Sequence, residues 1–315
     1  MHGCRTWLVA LTATCFAGAL AHGQQTSPTT PTTTAPPTQD AEDEFSTRDI
    51  TVGYIDSAIP IDLFRLRFDA ASNSNHPNRA EFFYAKTGPG APGLPLPERK
   101  IDYQELSFYV EKKILPNLSL FADVPIRFLN PEINSDHWGL SDVDAGAKYA
   151  FLTREDFVAT LQLRVYAPTG DAGRGLGNDH VSVEPALLFW WRLAERWGVE
   201  GELRYWAPIG GTDFAGDIVR YGVGVHYDVL RSPSFWVAPV IELVGWSVLS
   251  GKEAELAPDG TATVRSAAGD TIVNLKLGVR LGLGERSDLY VGYGRALTGD
   301  HWYTDDLRVE WRWAY

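Results

Sequence analysis

The chain has 315 residues, 44% of them hydrophobic and 12% aromatic, with 30 Gly and 19 Pro; this suits one or two folded domains, or one large β-barrel, and excludes a wholly disordered protein. Its 28 Lys and Arg against 40 Asp and Glu exclude the basic face that nucleic-acid phosphates require. Cys4 and Cys15 both lie in the first 20 residues, so a chain that loses this segment has no disulfide, thiol nucleophile or thiolate metal site.

Residues 1–21 read as a secretory signal peptide, with Arg5 ahead of an apolar stretch from Trp7 to Leu20 and Ala19-Leu20-Ala21 as the cleavage site. Acylation of Cys15 is the alternative, but Thr12-Ala13-Thr14 lacks the Leu and the small Gly, Ala or Ser beside the cysteine that it calls for. Residues 22–46 are rich in Thr and Pro and end acidic; such a run cannot bury enough apolar area to offset chain entropy and is expected to be a disordered linker. Residues 47–59 lead into the first strand and are read as a segment able to fold into a lumen as a plug. No later stretch is apolar and long enough for a membrane helix. Phe235–Leu249 comes nearest, but it contains Pro239 and Glu242 and reads as a strand.

From about residue 60, apolar and polar residues alternate in runs of about ten separated by turn residues. Twelve strands are predicted, over approximately 60–69, 101–112, 117–128, 141–151, 157–167, 181–193, 197–207, 218–230, 234–249, 271–283, 287–296 and 305–315. In the fifth, Leu161, Leu163, Val165 and Ala167 share one face and Thr160, Gln162, Arg164 and Tyr166 the other. The connections alternate too. Tight turns at 113–116, 152–156, 194–196, 231–233 and 284–286 separate longer loops at 70–100, 129–140, 168–180, 208–217, 250–270 and 297–304. This is the asymmetry of an outer-membrane barrel, which puts the short turns and both termini in the periplasm and the long loops outside.

The charges fix which face looks inward. The polar faces carry Arg65, Arg67, Glu105, Glu111, Asp123, Arg127, Asp142, Asp144, Lys148, Arg164, Glu184 and Arg192. Further along they carry Glu200, Glu202, Arg204, Arg220, Asp228, Glu242, Lys276, Arg280, Arg308, Glu310 and Arg312. Each cation turned to lipid near the midplane would cost ~2–4 kcal/mol, and even half of them would exceed a typical stability of about 5–15 kcal/mol. These residues are therefore expected to line the lumen, either paired across strands or facing an aqueous path. Trp190, Trp191, Trp197, Trp206, Trp236, Trp246, Trp311 and Trp313 lie mostly toward strand ends and are read as interfacial girdles, with core packing as the alternative.

Two segments, GLSDVDAGAKYAFL at 139–152 and YAPTGDAGRGLGNDHVSVEPALL at 166–188, resemble the outer-membrane barrels grouped with the phenol meta-cleavage (MetA) pathway family. Gly139, Ser141, Asp142, Val143, Gly146 and Lys148 carry the first pattern, and Pro168-Thr169-Gly170, a Gly-rich loop and Pro185 the second. The resemblance covers roughly residues 60–315. It implies passive passage of small solutes, aromatic or hydrophobic ones among them, and transfers no ligand-binding residues. A structural barrel with a filled lumen is the alternative.

No catalytic constellation stands out. The Gly-rich loop lies between two strands and lacks a G-K-[ST], so it offers no phosphate cradle. His180 and Ser182 share a strand face, but that face points inward and no G-x-S-x-G occurs. No enzyme and no cofactor are expected. Asp-His pairs at His137, His180 and His301 fall in outer loops and would form a metal site only if those loops converge. The expected partners are outer-membrane lipid, a small solute, and the barrel-assembly machinery through the C-terminal strand ending at Tyr315.

Overall fold

A computed structural model describes residues 46–74, 93–96, 98–232, 234–256 and 262–315. The expected signal peptide, nearly all of the Thr/Pro-rich linker and much of the first long loop lie outside these residues. Among the described residues twelve long strands form one antiparallel barrel: β1 (Leu63–Ser74), β2 (Ile101–Leu115), β3 (Leu118–Pro131), β4 (Val143–Thr153), β5 (Phe157–Ala167), β6 (Val181–Ala194), β7 (Trp197–Ile209), β8 (Ile218–Tyr227), β9 (Phe235–Val248), β10 (Thr271–Leu283), β11 (Ser287–Ala296) and β12 (Asp305–Ala314). Neighbours in sequence are neighbours in the sheet, and β1 pairs with β12 from Leu63↔Ala314 to Ser72↔Asp305. Closure leaves no edge strand to be satisfied in lipid.

The alternation read from the sequence sets the two faces. Along β5, Leu161, Leu163 and Val165 are exposed while Thr160, Gln162 and Arg164 are buried. The outer wall is a continuous apolar surface of residues such as Leu203, Ile241, Leu243, Leu277 and Val291, the surface that hydrocarbon requires.

The ends at the short turns differ from expectation by up to three residues, as at Leu63, Leu115 and Tyr227, and the larger departures occur at the long-loop end. β1 runs on to Ser74 instead of stopping near 69. β3 pairs with β4 up to Asp123↔Asp144 and then with a short strand, His137–Leu140, at Ile126↔Leu140. The register steps by one residue between these pairings, so Ser141-Asp142 is a β-bulge, a device that re-aims side chains and bends the strand. A hairpin of Lys252–Leu256 with Ala262–Ser266 stands in the loop between β9 and β10. The β6–β7 ladder skips Glu184 and Pro185, where proline has no N–H to give.

Four of the tryptophans read as girdle residues point inward. Trp190 and Trp236 are buried, and Trp206 and Trp246 are half-buried and line an internal cavity; Trp191, Trp197, Trp311 and Trp313 are exposed on the outer wall. Parity is the cause, because Trp190 stands two residues from Arg192 and Trp206 two from Arg204, on the charged face.

Candidate functional site

Residues 46–62 occupy the short-turn half of the barrel interior. Ser46 caps a single turn, Thr47–Asp49, its hydroxyl accepting the Arg48 N–H while Asp49 accepts the Ser46 N–H. Arg48 donates to the Ser232 carbonyl at 3.0 Å and Asp49 pairs with Arg192 at 2.9 Å, which ties this turn to the short-turn end. The chain then reaches Asp56 in mid-lumen and returns to β1, with the Ala58 carbonyl accepting the Thr160 hydroxyl and the Ile61 N–H donating to Glu111. Ile50, Ala58, Ile59 and Ile61 pack against Tyr109, Phe121, Val158, Leu188 and Trp190 of the wall, and Val52 and Ile55 against Val240, Val244 and Tyr290.

Between Thr51 and Asp56 the segment is held by its main chain. Glu200 accepts the N–H groups of Thr51 (2.9 Å) and Val52 (3.2 Å). Glu242 accepts those of Gly53 (2.9 Å), Tyr54 (2.9 Å) and Ile55 (3.2 Å), and Glu202 that of Asp56 (3.3 Å). The carbonyls meet guanidinium groups: Ile50 is bonded by Arg312, Thr51 and Val52 by Arg280 (2.8 and 2.7 Å), Gly53 by Arg308 (2.6 Å) and Tyr54 by Arg220 (2.7 Å). The Thr51 hydroxyl also contacts Nδ1 of His226.

The wall charges also pair with one another, as burial demands. Asp56 receives Arg164 and Arg204, and Arg204 also binds Glu202 (2.7 Å) and Glu184 (2.9 Å). Arg164 meets Asp144 at 3.2 Å, Lys148 meets Glu111 at 2.8 Å and Arg127 meets Glu105 at 2.7 Å. Arg65 and Arg67 lie near Asp123, Lys276 binds Asp306 at 3.0 Å, and Arg280 binds Asp288 and Glu310. Arg308 binds Asp69 and Arg312 binds Asp288. The two arrangements weighed from sequence, cross-strand pairs or an aqueous lining, are thus joined by a third, in which wall charges bind main-chain amides.

Above the segment the lumen holds two larger cavities. A cavity of about 240 Å³ is lined by Tyr54, Asp56, Arg65, Arg164, Trp206 and Trp246 among others, and one of about 160 Å³ shares Tyr54, Arg67, Arg127 and Arg308 with it. Below, the voids beside the segment measure only about 20 and 10 Å³. The Tyr54 ring lies between Lys276 Nζ (3.8 Å to the ring centre) and the Arg308 guanidinium (3.9 Å), a favourable cation–π pair of contacts.

At the long-loop rim the two motifs that carry the family resemblance form one unit. Asp142, turned by the bulge, accepts the N–H groups of Gly170 (2.9 Å) and Asn178 (2.7 Å). The Ser141 hydroxyl donates to the Leu176 carbonyl (2.6 Å), and Thr169 bridges the Ser141 carbonyl and the Val143 N–H, each at 2.9 Å. A Cβ on Gly177 would lie 2.4 Å from Asp142 Oδ1, which explains the glycine. Leu176 is buried with Leu94, Ile101, Tyr103 and Leu129, so the Gly-rich loop folds inward over the rim. Burial raises the Asp142 carboxyl above its ordinary value, the two N–H bonds offsetting part of that rise.

The three loop histidines stay apart. His137 sits on the short strand beside β3, His180 Nδ1 contacts the Asn178 carbonyl (2.7 Å), and His301 contacts Thr304 (3.0 Å). Among the described residues no three His, Cys, Asp or Glu side chains gather as a metal would need. Asp228, expected on a strand face, stands in the turn after β8 and pairs with Arg231 at 3.2 Å. Sequence reasoning missed Thr51, Gly53, Tyr54 and Asp56. Thr51, Gly53 and Tyr54 act largely through atoms that every residue carries, whereas Asp56 acts through its carboxylate but lies outside the alternating strands from which the lumen charges were read.

Among solved structures, an outer membrane channel from Pseudomonas putida F1 shares the fold, with a TM-score of 0.53 at 15% identity over 83% of this chain and 98% of its own. Looser likenesses are the β-domain of the Bordetella autotransporter BrkA (TM-score 0.48, 14% identity, 81% and 100% covered) and the KdgM porin (TM-score 0.43, 7% identity, 80% and 99% covered). No curated protein matches the sequence. The profile of the family described as "Putative MetA-pathway of phenol degradation" matches residues 109–301, more than half of the 315 residues, and the chain belongs to that family.

Proposed function

We propose that the protein is an outer-membrane conduit for small solutes, closed at its short-turn end by residues 46–62. One observation carries this reading: the wall's own side chains leave cavities of about 240 and 160 Å³ above the segment, whereas a stretch of chain outside the sheet closes the lumen below to voids of about 20 Å³ or less. With the short turns in the periplasm, the cavity faces outward and the segment is the inner seal. Tyr54, Tyr166, Trp206 and Trp246 on the cavity wall favour aromatic or hydrophobic solutes, in keeping with the family's description. The lumen-lining charges set the polarity of the path once the segment withdraws. The outer wall contacts lipid, the strand ending at Tyr315 engages the assembly machinery, and the protein performs no catalysis.

The test compares, in a planar bilayer, the mature chain with one lacking residues 24–58. Rare openings in the first and sustained stepwise conductance in the second are expected. If both are equally silent while heat-modifiable mobility shows folded barrels, the filled structural barrel is the correct reading; the dense pairing of the wall charges is what favours that alternative.

A further inference from the structure

The wall contacts of residues 50–56 have a pattern that volume filling does not require. Six consecutive N–H groups, Thr51 to Asp56, all donate to carboxylates, and five consecutive carbonyls, Ile50 to Tyr54, all accept from guanidinium groups. Three glutamates and four arginines supply these bonds. Burying that many charges is costly, and apolar side chains would fill the same volume more cheaply. The charges are held in place by other wall residues: Arg280 by Asp288 and Glu310, Arg308 by Asp69, Arg220 by Glu202 at 2.7 Å, and Glu242 by the Tyr290 hydroxyl at 3.3 Å. The receptor for the main chain is therefore built into the sheet, and preorganisation of this kind favours binding.

The geometry points to a binding site for an extended oligopeptide on the inner wall, formed by β7 to β12, of which residues 51–56 are the resident ligand. Its ligand class follows from the contacts. A peptide needs six successive residues with free N–H groups, hence no proline, and a glycine third, since a Cβ on Gly53 would meet the Tyr290 ring at 2.3 Å. Apolar residues in the second and fifth places match Val52 and Ile55 against Val240, Val244 and Tyr290. The rest of the side-chain sequence is free. Main-chain hydrogen bonds give affinity and a few pockets give selectivity, as in other modes of extended-peptide recognition. This inference rests on the reading of residues 46–62 as a removable seal.

The experiment uses the full mature chain carrying Gly53→Val, which expels the resident segment and leaves every strand unchanged, with Tyr54→Pro in parallel in case the first variant fails to insert. Three labelled heptapeptides are added: the native sequence of 51–57, a version with Thr51, Tyr54 and Ser57 replaced by alanine, and the native sequence N-methylated at the third and fourth residues. Conductance reports whether the segment has left, and anisotropy reports peptide binding. The first two peptides should bind either variant at least about tenfold more tightly than the wild-type chain, where the tethered segment competes at an effective concentration of ~mM, and should close the conductance again. The N-methylated peptide should do neither. A variant that conducts but binds no peptide, or binds the N-methylated one equally well, overturns the peptide site and leaves the seal intact. A variant that inserts and stays silent overturns the seal and, with it, the peptide site that rests on it.

Discussion

The Asp142 carboxylate accepts the main-chain N–H of Asn178 at 2.7 Å, joining a strand bulge to a glycine-rich loop 36 residues further along the chain. The bond, with its partner from Gly170, folds the rim loop inward. Asp142→Ala should release the loop, and Gly177→Ala should do the same by crowding Oδ1. A fluorophore on a cysteine placed at exposed Arg174 reports the release as a fall in anisotropy; unchanged anisotropy in both variants would show that Leu176 alone holds the loop.

The same contact has a pH dependence whose sign is fixed by burial. The folded carboxyl binds its proton more tightly than a free one, because burial outweighs the two N–H bonds. The closed loop is therefore favoured below the ordinary carboxylate pKa and loses stability as pH rises from there through the raised value. Anisotropy of the Arg174 probe should be higher at about pH 4 than at about pH 7, and the difference should vanish in Asp142→Asn.

Glu242 holds three N–H groups of the segment proposed as the seal. Hydrogen bonds to a charged group contribute about 1.5–3 kcal/mol each. Even one such bond lost in Glu242→Ala raises the open population roughly tenfold to a hundredfold. Single-channel recording should show it as open probability, with unit conductance little changed.

Leu203 and Arg204 are adjacent in β7 and face opposite solvents, Leu203 exposed and Arg204 buried against Glu202, Glu184 and Asp56. Leu203→Arg places a cation in hydrocarbon at ~2–4 kcal/mol. Arg204→Ala takes one cation from three buried acids, which keep Arg164 or Arg220, at up to about 3–5 kcal/mol. Urea unfolding from lipid vesicles should show losses of this order in both, whereas Leu203→Ile should be near neutral.

The twelve strands and the faces they present were legible because one physical rule, alternation against a lipid boundary, is written into every strand. The spans 157–167, 271–283 and 287–296 match β5, β10 and β11 end to end. The rule weakens where the wall leaves the membrane. There β1 extends to Ser74 and the 137–140 strand adds to β3, since polar residues can pair equally well in water. Residues 47–59 were legible only as a segment able to enter the lumen. Its binding mode was hidden because main-chain N–H and C=O groups do not vary with sequence. The tryptophans at 190, 206, 236 and 246 were misassigned by position along the strand when parity with Arg192, Arg204 and Glu242 already turned them inward.

That parity offers its own check. In vesicles of brominated lipid, Trp197, Trp311 and Trp313 should be quenched, and Trp190 and Trp236 should not. Single-tryptophan chains separate the signals, and quenching of the second group would place it on the lipid side.

The cavity above the segment extends from Tyr54 and Asp56 at its floor to the rim residues Ser141, Asp142 and Asn178. If residues 46–62 seal the lumen as proposed, the molecule behaves as a cup and not as a pipe. A solute that enters leaves by the same mouth, its occupancy tracks the concentration on that side alone, and no gradient across the membrane can do work on it. On that proposal flux begins only when the floor moves, so the rate of delivery at saturation would be the rate at which the floor opens, whatever the solute.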